Sequence, residues 1–138
     1  MSTTEERGRD RLVLIDTSAW IEALSPEGGA GLRESLQDLI ASGRAATCEV
    51  VIAEVLRGAE DDPSAARLER GLSDLVLLPC DGMGATAAAM GRELRAPRNR
   101  FADLLIAAVA FERGAQILTR DRHLSRIADV FEIGAVLT

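Results

Sequence analysis

The run Leu12-Val13-Leu14-Ile15 ends on Asp16 with no polar residue inside it. A short apolar run with no wet face predicts a strand covered on both sides, as in a parallel sheet flanked by its crossover helices. The same reading applies to Leu75-Val76-Leu77-Leu78, a buried strand closed by Pro79, and to Gln116-Ile117-Leu118-Thr119. Shorter strands fit Ala45–Thr47 and the stretch near Glu132–Leu137. Helix-length segments separate them. Asp16-Thr17-Ser18 caps a helix through Ala19-Trp20-Ile21, and Ser25-Pro26-Glu27-Gly28-Gly29 breaks the chain. Residues 30–42 place Leu32, Leu36, Leu39 and Ile40 on one helical face, and residues 49–60 are helical with Gly58 near the end. Pro63 opens a helix that runs to about Ser73. An Ala-rich helix over 83–95 is ended by Pro97, the most apolar helix spans 102–113 before Gly114, and a short helix follows Asp121. Helices alternating with apolar strands imply a three-layer α/β/α sandwich around a central, mostly parallel sheet. At 138 residues the chain suits one domain, residues 11–138, after a loose polar tail at 1–10.

Composition narrows the chemistry. All 16 basic residues are Arg, so a phosphate-binding loop ending in Gly-Lys and a Schiff-base lysine are both excluded. His123 is the only histidine, which removes His-rich zinc sites and leaves a Ser-His-Asp site a single candidate base. Cys48 and Cys80 lack metal-ligand spacing and read as free thiols in a reducing compartment. The polar start is not a signal peptide, and no apolar run approaches the ~18 residues that span a bilayer, so the expectation is a cytoplasmic protein without membrane contact. The net charge is −6, but it is uneven: residues 1–90 hold 8 Arg against 16 acids, and residues 91–138 hold 8 Arg against 6. Arg92, Arg95, Arg98 and Arg100, relieved only by Glu93, form either a solvated helix end or a rim that grips phosphate oxygens.

Four carboxylates stand beside strongly apolar sequence. Asp16 follows the first strand directly, and Asp121 comes two residues after the strand Gln116–Thr119. Open parallel sheets bind ligands beyond the carboxyl ends of their strands, so both belong to that rim. Asp103 opens the most apolar helix, and Glu54 lies within the apolar stretch Val50–Leu56, where an acid calls for a partner. Asp103 and Glu54, near helix N-termini or first turns, are expected to face the same rim. Singly, each has a plainer role: Asp16 as a helix cap, Asp103 as a first-turn acid, Asp121 in an Asx turn. Together they would repel one another unless a divalent cation joined them, and hard oxygen donors select Mg²⁺ or Mn²⁺ over zinc.

Four segments carry a resemblance. Leu14-Ile15-Asp16-Thr17-Ser18-Ala19-Trp20, Val51-Ile52-Ala53-Glu54-Val55-Leu56-Arg57-Gly58, Ala102-Asp103-Leu104-Leu105-Ile106-Ala107-Ala108 and Leu118-Thr119-Arg120-Asp121 are similar, in order and separation, to the four motif blocks of PIN-domain ribonucleases of the VapC toxin type. The resemblance spans residues 12–137. It implies that Asp16, Glu54, Asp103 and Asp121 are the catalytic acids. Asp16 and Asp103 would bind the metal directly, and Glu54 and Asp121 would act through coordinated water or at a second ion. Thr17 or Ser18, and Thr119, are expected to hydrogen-bond near the site or to serve as turn and cap hydroxyls. The last block departs from many relatives, which carry a second acid followed by Phe; here Asp121 is followed by Arg122-His123-Leu124. His123 is read as a surface or helix-start residue, with a contact to RNA or to the metal's outer shell as the other possibility, and Trp20 as core or dimer interface rather than a base-stacking platform.

The implied activity is a Mg²⁺- or Mn²⁺-dependent endoribonuclease toxin that hydrolyses RNA phosphodiester bonds to 5′-phosphate and 3′-hydroxyl ends. Arg92, Arg95, Arg98, Arg100, Arg120 and Arg122 would hold the RNA backbone. The resemblance also implies a homodimer and a cognate antitoxin. Two rival readings are a non-catalytic PIN-fold module that binds RNA or protein, and a small-molecule phosphatase. The phosphatase reading wants Asp-x-Asp after the first strand, where this chain has Ser18.

Overall fold

The computed structural model describes residues 11–97 and 100–137. Among them are five strands, β1 (Val13–Ile15), β2 (Ala45–Thr47), β3 (Val76–Leu77), β4 (Gln116–Thr119) and β5 (Ala135–Leu137). Seven helices join them: α1 (Thr17–Leu24), α2 (Ala30–Ala41), α3 (Glu49–Arg57), α4 (Asp62–Ser73), α5 (Met83–Leu94), α6 (Phe101–Arg113) and α7 (Arg122–Val130). The sheet order is β3-β2-β1-β4-β5 and every neighbouring pair is parallel. The expected tail at residues 1–10 and Arg98 lie outside the described residues.

The two-residue period of an extended chain sorts the apolar side chains between two cores. Val13 and Ile15 point to one face, where they meet Ala19 and Ala23 of α1 and Leu32 and Leu36 of α2. Leu14 points to the other, with Ala46, Ile117 and the buried stripes of α3, α5, α6 and α7. Both faces of β1 are therefore dry, as its unbroken apolar run requires, and all three of its residues are buried. Six consecutive-turn residues of α6, Leu104 and Ile106 to Ala110, are buried, so this helix forms the centre of the second core. Gly91 lets α5 lie against it: a Cβ there would stand 3.0 Å from Leu104 Cδ1.

The strand order places the site. From β1 the chain steps outward through β2 to β3, then returns to the other side of β1 for β4 and β5. The connections diverge between β1 and β4, and an open parallel sheet has its natural crevice at the carboxyl ends of such a pair.

Three sequence expectations need correction. The strand expected over Leu75–Leu78 is only Val76–Leu77, and these two side chains are 40% and 51% exposed; Leu78 is the buried one. Among the described residues β3 has only β2 as a neighbour, and an apolar run does not distinguish an edge strand from a central one. The helix of residues 83–95 stops at Leu94 before Pro97 is reached, because Arg95 turns left-handed (φ 53°, ψ 41°) and the Ala96 N–H bonds the Gly91 carbonyl at 3.0 Å. Ile40 is 46% exposed, at the margin of the α2 face rather than within it. No described helix is long and apolar enough to cross a membrane.

The packing makes a paired prediction. Gly91→Val forces a branched side chain against Leu104 and should lower unfolding free energy by about 1–3 kcal/mol. Gly71→Ala, on an exposed face of α4 with open space around it, should raise stability by about 0.5–1 kcal/mol through helix propensity. Urea melts of the two variants beside the parent check both.

Candidate active site

The junction from β1 to α1 is Asp16, 4% exposed, in extended conformation as the helix cap. Its Oδ2 accepts hydrogen bonds from Ser18 Oγ at 2.7 Å, from Thr119 Oγ1 at 2.9 Å and from the Ser18 N–H at 3.4 Å. Thr119 ends β4 and is fully buried. The two hydroxyls also receive bonds: the Arg120 N–H donates to Ser18 Oγ and the Asp121 N–H to Thr119 Oγ1, each at 2.9 Å. A hydroxyl has one proton, so with both protons spent on Asp16 the 3.2 Å approach of Ser18 Oγ to Thr119 Oγ1 is a contact imposed by their shared acceptor. Oδ1 of Asp16 has no hydrogen-bond partner among the described residues.

Asp121 follows β4 and caps α7, its Oδ1 accepting the His123 N–H at 2.8 Å. Asp16 and Asp121 thus fulfil their capping roles and also occupy the crevice between the ends of β1 and β4. Asp103 enters from the first turn of α6, with its side chain 18% exposed. Its carboxyl is pushed up to about 6, chiefly by burial, then by the negative charges of Asp121 and Asp16; His123 and Arg100 act in the opposite direction. Arg100 Nη1 lies 3.8 Å from Asp103 Oδ2. Three carboxylates from three chain segments are therefore near enough to repel one another.

Glu54 stands differently from the sequence expectation. It is exposed, at the sixth residue of α3 rather than in its first turn, because the buried stripe of that helix runs through Val51 and Val55. Its partner is a hydroxyl: Thr17 Oγ1 donates to Glu54 Oε1 at 3.0 Å. It is not among the charges that move Asp103. Glu54 joins the other three acids only through Thr17, the residue beside Asp16. All three hydroxyls expected near the site are engaged with its acids.

The Arg residues divide as well. Arg100 faces Asp103, and Arg120 Nη2 lies 3.8 Å from Glu22 Oε1 on α1. Arg92, Arg95 and Arg122 are exposed. Trp20 packs against both cores, in keeping with the core reading, and its Nε1 is buried with no hydrogen-bond partner among the described residues. Burial raises the Cys48 thiol to about 11.

The donor set can be tested against a cation. Among the described residues no three His, Cys, Asp or Glu side chains converge closely enough to enclose an ion by themselves. Carboxylate oxygens spread around a half-open crevice suit an ion that keeps most of its waters and takes one or two direct ligands, which is the habit of Mg²⁺. The free Oδ1 of Asp16 and the crowded carboxyl of Asp103 fit that role.

The pH dependence of stability follows with a definite sign. Unfolded, Asp103 titrates near 3.8; folded, at about 6. Below 3.8 both states hold the proton, and as pH rises through 6 the folded state loses about 1–3 kcal/mol relative to the unfolded chain. Asp103→Asn should therefore raise the melting temperature by about 3–8 °C at pH 8 without divalent ions, with a gain that shrinks toward pH 4. Thermal melts across that range measure it.

Comparison with known proteins agrees with this architecture. The PIN domain family model matches residues 13–130. Ribonuclease VapC11 of Mycobacterium tuberculosis is 35% identical over 130 residues, which cover 90% of this chain and 97% of that protein. The crystal structure of VapBC2 from Rickettsia felis, bound to a DNA fragment from their promoter, superposes with a TM-score of 0.73 at 19% identity, covering 92% of this chain and 98% of that one. VapBC-5 of Mycobacterium tuberculosis, a member of the VapBC family of toxin–antitoxin systems, gives 0.60 at 26% identity, covering 93% and 99%. A family model over most of the chain, and a ribonuclease relative matched almost end to end, establish that the chain belongs to the PIN-domain family, in its VapC branch.

Proposed function

We propose that this protein is a Mg²⁺- or Mn²⁺-dependent endoribonuclease toxin that hydrolyses RNA phosphodiester bonds in the cytoplasm, where its RNA substrates and antitoxin are made. The observation that carries the reading is the gathering of Asp16, Asp103 and Asp121 at the crevice between β1 and β4, with Asp103 raised to about 6 by burial and then by its two acidic neighbours. The VapC ribonuclease relatives support the same activity.

Asp16 and Asp103 are the residues that would hold the ion. When bound, it supplies Lewis acidity toward a phosphodiester oxygen and relieves the like-charge crowding. Asp16 needs no rearrangement, because Ser18 and Thr119 already fix its carboxylate through Oδ2. Asp121 has one oxygen on the His123 N–H and keeps the other to orient the attacking water and take its proton. Glu54, held by Thr17 at the open side, orients water there. In-line attack leaves 5′-phosphate and 3′-hydroxyl ends. The Arg92–Arg100 segment, with Arg120 and Arg122, supplies cations for the RNA backbone. Arg100 and Arg120 each exchange an acid of this chain for a phosphate.

The second partner is an antitoxin. An acidic crevice is complementary to a basic inhibitory segment. The exposed Ile21, Leu24 and Ile40 offer apolar surface that a protein partner would cover. A homodimer belongs to the same proposal.

Asp16→Asn and Asp103→Asn should each lower Mn²⁺-dependent RNA cleavage by at least about a hundredfold while the fold is kept. Glu54→Gln and Asp121→Asn should lower it about 10- to 100-fold. Mn²⁺ should raise the melting temperature of the parent at pH 8 and leave that of Asp103→Asn nearly unchanged. Full activity in either of the first two variants would refute the proposed site. A parent that neither cleaves RNA nor responds to Mn²⁺ would favour the non-catalytic binding module.

A further inference from the structure

A cleft of about 220 Å³ opens between the end of α5 and α7, the helix that Asp121 caps. Arg95 and Arg126 stand on it, His123 forms one wall, and Pro97, Ile127 and Val130 are among its apolar residues. No acid lines it, although the chain as a whole carries −6. Arg95 and Arg126 are exposed and make no ion pair with any described residue, whereas Arg100 and Arg120 do.

Two further details mark this cleft. Arg95 holds the left-handed position that ends α5, where glycine is the unstrained choice and a side chain costs free energy. That backbone turn carries the guanidinium to the cleft. His123 lines the cleft, with its Nε2 buried and without a hydrogen-bond partner among the described residues. The same residue bonds Asp121 through its backbone N–H, so the cleft and the carboxylate cluster share a wall.

We propose that this cleft binds the nucleotide next to the scissile phosphodiester of a single-stranded RNA. Arg95 and Arg126 take its phosphate, and its base or ribose lies on Pro97, Ile127 and Val130. His123 forms the wall between this nucleotide and the carboxylates. The size of the cleft accommodates one base or sugar but not a helix, which is about 10–12 Å across, so a nucleotide fits better than a folded protein segment. Free guanidiniums over apolar side chains match the mixed polar and apolar character of a nucleotide. The assignment rests on the endoribonuclease reading for its placement along the strand. It also departs from the linear Arg92–Arg100 run by adding Arg126, which the sequence separates from that run by an entire helix and strand.

The test uses a short fluorescein-labelled single-stranded RNA of mixed sequence, titrated in fluorescence anisotropy against full-length Asp16→Asn protein. Adding Arg95→Ala or Arg126→Ala should weaken binding about five- to tenfold, and each should reduce the slope of log K against log salt by about 1. Arg70→Ala, which removes a charge on α4, should change affinity less than twofold. Thermal melts confirm folding, and Arg95→Gly provides a second variant that removes the guanidinium while relieving the turn. Binding within twofold of the parent in Arg95→Gly and Arg126→Ala overturns the assignment, as does an equal loss in Arg70→Ala. Cleavage by the otherwise unaltered chain separates the two proposals. If it cleaves but the Arg variants bind normally, the cleft is wrong and the activity stands. If it does not cleave but the Arg variants bind weakly, the cleft stands as an RNA-binding site, and both the activity and the placement beside a scissile phosphodiester are wrong.

Discussion

Two hydroxyl protons and a backbone amide meet on one oxygen of Asp16, and the rest of the site depends on that meeting. A carboxylate that is 4% exposed needs such partners to be tolerated at all. Ser18 is local, but Thr119 lies 103 residues away and reaches Asp16 only because β1 and β4 are paired in register. The Asp16 N–H continues that ladder by donating to the Leu118 carbonyl at 2.9 Å. The pairing that closes the centre of the sheet therefore also orients the acid. The same hydroxyls accept from the Arg120 and Asp121 amides, so the turn carrying Asp121 is held by the atoms that hold Asp16.

Asp103 shows the opposite economy. It is half-buried and feels the charges of Asp121 and Asp16, with the Arg100 guanidinium 3.8 Å away. Perturbed ionisation of this kind concentrates at functional sites.

Much of this was legible in the chain. The unbroken apolar run before Asp16 and the alternation of strands with helices sufficed for a parallel α/β/α sandwich, because a strand dry on both faces must have layers on both sides. β2, α4 and β4 begin and end where the local sequence places them, since Pro63, Gly114 and short apolar runs are strong local signals. The four acids stood out through their apolar context. Glu54 shows the limit of that signal. A window of apolar neighbours does not say which way a side chain points, and the helical period turned Val51 and Val55 inward and left Glu54 in solvent. The edge position of β3 was equally hidden, because its apolar residues read the same whether or not a neighbour covers them.

By itself, then, the sequence determined the elements, the layer arrangement and which carboxylates are out of place, since these follow from backbone geometry and the cost of wetting apolar groups. Only the tertiary structure decided that Thr119 serves Asp16, that Glu54 is tied in through Thr17, and that Arg126 rather than Arg120 is free beside Arg95. Those outcomes depend on strand order and helix facing, which are set by contacts between residues far apart in the chain.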